Sequence, residues 1–186
     1  MADLQRNGLL DTSQWSYNTQ LANDDNPEDN PIEVDTLDIR TTVEQFVAEG
    51  PYSCDNLNAE QHNDHHLHVH EHYRESYCQI VVETHFDADQ SGGTFLTEKT
   101  FKPIKHGQPF VIVGPPGSLA TLRRLGYRTF DHAIDNSYDQ EKNNTRRWQM
   151  ILAAIQKIAD QDLDKWVESC LDDLCHNQNL FLQSKL

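Results

Sequence analysis

At 186 residues the chain is long enough for one domain and an appendage, since domains run to about 100–150 residues and split beyond about 250. Hydrophobic residues make up 37 % of it, below the roughly 45–50 % of an average globular chain, so part of the chain is expected to be extended and solvated. The formal charge is −15, which repels phosphate backbones and anionic lipid and argues against nucleic acid or a membrane as the main partner.

That charge is uneven. Residues 1–60 hold 13 Asp and Glu against Arg6 and Arg40, a net of −11, so the N-terminal third reads as an acidic arm. No apolar run approaches the ~20 residues of a membrane span, and the N-terminus lacks the charged-then-apolar order of a signal peptide. The expectation is a soluble chain in the cytoplasm. Cys54, Cys78, Cys170 and Cys175 show no CxxC spacing, and they read as reduced thiols.

In chain order, MADLQRNG predicts a short helical start broken at Gly8. Residues 22–36, rich in Asn and Asp with Pro27 and Pro31, predict a loop. Leu37, Val43, Phe46 and Val47 suit one face of a helix over 37–49. Tyr77 to Glu83 (YCQIVVE) is an apolar, β-rich run that predicts a buried strand. Thr97 is placed to cap a following helix with Glu98 in its first turn, although Pro103 interrupts it. Pro109 to Gly114 (PFVIVG) predicts a second buried strand. Strand, helix, strand over about thirty residues is the size of a βαβ unit with parallel strands. Ser118 then predicts the cap of a short helix stopped by Gly126. From Thr145 to Leu182 apolar residues recur at threes and fours, with the aspartates flanking Gln161 dividing two helices.

This pattern places Glu83 at the end of one strand and Glu98 with Lys99 at the start of the next helix, on the edge where open α/β sheets bind ligands. A helix N-terminus and a lysine favour a diphosphate, and a carboxylate accepts from ribose or sugar hydroxyls. Glu83, Thr97-Glu98-Lys99 and Pro109 to Gly114 together resemble the donor-binding core of GT-B-type glycosyltransferases, closest to the fucosyltransferase-like pattern. FLTEKTFKPI, GPPGSL, LGYRTF and NSYD are similar to glycosyltransferase-like proteins of phages and bacteria.

The resemblance implies a parallel-sheet, Rossmann-like α/β half of a GT-B enzyme over residues 61–140, with an arm over 1–60 and a long helical segment over 141–186. It implies that Glu98 meets the ribose and Lys99 the donor phosphate, with Thr97 beside them and Glu83 near the sugar. A GT-B enzyme also carries an acceptor-binding lobe of a hundred or more residues. Only about seventy acidic, loop-rich residues precede the first predicted strand. The expectation is therefore a nucleotide-sugar-binding domain that is not catalytic alone, completed by a second copy or a partner subunit. The competing expectation is a non-catalytic structural or interaction protein derived from a truncated transferase, in a phage-infected cell or a virion.

A third reading rests on histidine. His62, His65, His66, His68, His70 and His72 fall within eleven residues, and imidazole is the commonest biological ligand of zinc, copper and nickel. In an extended segment His66, His68, His70 and His72 share a face, and a divalent metal there is the cofactor the sequence offers. A solvated polar segment entering the first strand is the alternative.

Overall fold

A computed structural model of the chain describes residues 1–15, 48, 70–87 and 94–184. The expected loop at 22–36, nearly all of the helix at 37–49, and His62, His65, His66 and His68 lie outside the described residues. Two compact units divide the chain, Met1–Leu67 and His68–Leu186.

In the first unit, helix α1 (Ala2–Arg6) ends at Asn7, and Gly8 turns the chain at φ 69°, a left-handed conformation that costs glycine little. This is the short, broken helical start that the sequence predicts.

The second unit is mixed α/β. It opens with α2 (His70–Arg74), and strand β1 (Gln79–Val82) follows. Helix α3 (Glu98–His106) connects β1 to strand β2 (Phe110–Val113), and the two strands pair in parallel, Gln79 opposite Phe110 and Val82 opposite Val113. Among the described residues the sheet has these two strands. Helix α4 (Ser118–Arg124), a 3₁₀ turn (Ser137–Gln140), α5 (Asn144–Ala159) and α6 (Leu163–Gln183) complete the unit.

The core forms where β2 meets the helices. Phe110, Val111 and Ile112 are buried with Ile104 of α3, Leu119 and Leu122 of α4, and Ile151 of α5. Phe130 packs edge-on to Phe110 with ring centroids 5.2 Å apart. The C-terminal helices, read from the sequence as a segment of their own, belong to this same unit: α5 packs on β2, and α6 on α3 and α5. Asp160 and Asp162 flank the break between them, and the Asp162 carboxylate accepts the Lys165 amide at the start of α6. The apolar stripe folds back as a hairpin that buries Ile155, Ile158, Trp166, Cys170 and Leu174.

Three expectations need correction. The run from Tyr77 to Glu83 is not a buried strand throughout, because β1 is an edge of the described sheet: Val81 is buried, while Val82 is 58 % exposed. Helix α3 passes through Pro103 to His106. The proline forfeits one backbone bond in the helix interior, but its ring is fully buried and Gly107 closes the helix in the left-handed conformation. Ser118 does not cap α4. It is the first helical residue, Gly117 holds the capping position at φ 86°, and the carboxylate of Asp139 accepts the free amides.

Candidate functional site

The residues that follow β1 and β2 meet those that open α3 and α4 at the carboxyl edge of the strands. Glu83 follows β1 and is 6 % exposed. Its carboxylate accepts the Thr97 amide at 3.2 Å, the Thr97 hydroxyl at 2.6 Å and the Thr100 hydroxyl at 2.5 Å. Thr97 Oγ1 in turn accepts the Lys99 amide at 3.3 Å, which makes it the cap of α3. Gly114 ends β2 against this cluster. A Cβ there would stand 3.4 Å from that of Glu83 and 3.3 Å from Ser118 Oγ, so the residue leaves the strand end close to the carboxylate.

The second helix start is filled in the same manner. Asp139, 4 % exposed, accepts the Leu119 amide at 2.8 Å and the Ala120 amide at 2.9 Å, while its own carbonyl takes the Gly117 amide at 2.8 Å. Helix N-termini attract anions because their first amides lack intrahelical partners. Here Asp139 serves the first amides of α4, while at α3 the Glu83 carboxylate takes the amide and hydroxyl of the capping Thr97, whose oxygen takes the Lys99 amide, so side chains of the protein itself stand where a phosphate would otherwise find these donors.

Glu98 and Lys99 remain at the surface of this edge. Their side chains are 39 % and 43 % exposed and 3.7 Å apart, and Lys99 Nζ donates to Thr84 Oγ1 at 3.3 Å. The structure thus brings all four sequence-derived residues together and divides them by environment. Glu83 and Thr97 are buried in mutual hydrogen bonds, whereas Glu98 and Lys99 face outward.

Arg147, which the sequence reading passed over, holds the loop after β1. Its guanidinium is fully buried, donates to the carbonyls of Phe86 and, at 3.0 Å, Glu141, and sits 4.2 Å over the Phe86 ring. Burial lowers its pKa, with Asp87 and Glu141 opposing the shift. A signal existed: Arg147 falls one turn before Ile151 on the buried face of α5, where an unpaired cation is costly.

Of the histidines, His70 begins α2 and His72 is half-buried on it. Among the described residues no group of three His, Cys, Asp or Glu is placed to hold a metal ion. Cys78, Cys170 and Cys175 are free thiols.

A cavity of about 840 Å³ opens elsewhere, between the segment 131–137, the ends of α4 and α5, and the start of α6. None of Glu83, Thr97, Glu98 or Lys99 lines it. Its charges balance: Arg123 pairs with Asp131 at 2.6 Å, Lys165 pairs with Asp162 at 2.6 Å at the start of α6, and Lys157 has a weak attraction for Asp135. Hydrogen bonds from Asn136 and Arg123 outweigh the opposing effect of burial and hold the Asp131 carboxyl below its usual range. Asp135 and Asp162 are lowered as well, chiefly by Ser137 and Lys165 respectively.

No family model, curated protein or solved structure matches the chain. Among the described residues no helix is long and apolar enough to cross a membrane.

Proposed function

We propose that the chain is a nucleotide-sugar-binding domain of glycosyltransferase type that does not catalyse transfer by itself. The observation that carries the reading is the parallel β1–α3–β2 unit with Glu98 and Lys99 half-exposed in the first turn of α3, at the carboxyl edge of the strands. Lys99 supplies the charge for a donor phosphate and Glu98 accepts from ribose hydroxyls. Glu83 and Thr97 are assigned a positioning role, because their polar atoms are already engaged with each other. Transfer also needs an acceptor hydroxyl and a base held at the anomeric carbon, positioning that supplies roughly 7–11 kcal/mol of such a barrier. A second copy or a separate subunit would provide it.

Calorimetry with a panel of nucleotide diphosphate sugars tests the site. Lys99→Ala and Glu98→Ala are expected to abolish binding with the fold intact, and the unmodified chain to release no nucleotide from a bound donor. Parent protein that binds no nucleotide sugar would overturn the assignment. One observation favours the second reading, a non-catalytic scaffold derived from such a domain. The starts of α3 and α4 are filled by Glu83 and Asp139, which removes the amide grip on phosphate and leaves Lys99 to bind it by side chain alone.

A further inference from the structure

The cavity beside α4, α5 and α6 has features of a built site, and they select a class of ligand. The segment 131–137 on its wall follows directly on a residue in a conformation that the chain does not adopt freely: Phe130, fully buried behind the lining, has φ 59°. Left-handed backbone at a bulky residue persists only where the surroundings over-determine it, and such strain collects at binding and catalytic sites. The restraints are visible. Asn136 Nδ2 donates to the Thr129 carbonyl at 2.6 Å and to Asp131 at 2.9 Å. Arg123 Nε donates to Thr129 Oγ1 at 2.8 Å, and Trp166 Nε1 to the Ala133 carbonyl at 3.3 Å. The amides of Ala133 and Ile134 both donate to the Phe130 carbonyl at 2.9 Å.

The volume, about 840 Å³, lies within the range of small-molecule pockets, roughly 300–1,000 Å³. The three cations of the lining, Arg123, Lys157 and Lys165, are matched in number by Asp131, Asp135 and Asp162, which leaves no net sign to attract an ion. Beside these charges stand Ser137, Gln140 and Gln161, which offer both donors and acceptors, while Ile134 and Trp166 form the buried floor beneath them. Hydroxyl groups that donate and accept at once match such a lining.

We infer that this cavity binds a neutral, polyhydroxylated ligand of the saccharide class, at a site separate from the Glu98–Lys99 edge. Carboxylates and amides along the lining receive the hydroxyls. The inference does not depend on nucleotide-sugar binding at the sheet edge.

The test is calorimetric titration of the full chain with neutral mono- and disaccharides, beside glucose 1-phosphate and glucuronate as charged controls. Neutral sugars are expected to bind, and the charged controls to bind more weakly. Gln140 and Asp135 are exposed and hold no core element, so Gln140→Ala and Asp135→Ala should keep the parent's circular dichroism. Each should weaken saccharide binding about tenfold, the loss of one hydrogen bond or so, while Lys99→Ala leaves it unchanged. The inference is overturned if no neutral saccharide binds, if glucose 1-phosphate binds more tightly than glucose, or if both cavity variants bind like the parent.

Discussion

Glu83 shows how one side chain can satisfy two demands. Its position after a strand suggests a ligand contact, yet its carboxylate gathers the amide and hydroxyl of Thr97 and the hydroxyl of Thr100. Hydrogen bonds to a charged group contribute about 1.5–3 kcal/mol each, and removal leaves the partners unsatisfied. Glu83→Ala is therefore expected to lower unfolding free energy by on the order of 3 kcal/mol, measured by urea denaturation; a loss below the error of the measurement would show that the cluster is replaceable. The thiols separate by the same physics of burial. Desolvation pushes the Cys78 thiol up to about 12 and raises Cys170 as well, whereas Cys175 is exposed on α6. Since the thiolate is the nucleophile, brief alkylation of the native chain should modify Cys175 and spare Cys78 and Cys170, as read by peptide mass mapping. Labelling of Cys78 at a comparable rate would contradict the raised pKa of its thiol.

At the scale of elements, the strands and helices of the second unit were largely legible, because their apolar runs and periods are local. Thr97 could be read as the cap of α3 from its neighbours alone. The partners of the helix starts could not. Glu83 lies 14 positions before Thr97 and Asp139 20 positions after Leu119, and no periodicity links residues so far apart. The cavity was equally hidden, since its lining extends from Arg123 to Ser169 without a motif. Its carboxylates give the segment 131–137 a pH response. Asp131, Asp135 and Asp162 are held below the ordinary carboxylate range by their partners. The stability they contribute is present above the unfolded value of about 3.9 and is lost as pH falls through the lower folded values. The urea midpoint should thus drop as pH falls below about 5, less steeply in Asp131→Asn. An equal slope in that variant would remove Asp131 from the account.

For the whole molecule, the sequence signalled a parallel βαβ unit, and its pairing is the feature of the fold that stands firmest. The aspartates flanking Gln161 marked the break in the C-terminal stripe, and there α5 and α6 fold back and leave Leu171 and Leu182 as the large apolar side chains exposed on α6. Tyr138 carries a consequence of a different kind. Its phenol oxygen accepts the Ile112 amide at 3.3 Å, and burial pushes its pKa well above the ordinary range, so it stays protonated at any physiological pH. That amide belongs to the side of β2 turned away from β1. Ile112 and Tyr138 are both buried, so water cannot serve this donor and the phenol oxygen is its acceptor. Tyr138→Phe keeps the ring and leaves a buried amide without its partner, so the variant should lose about 1–3 kcal/mol of unfolding free energy in urea denaturation; an unchanged midpoint would remove this bond from the account.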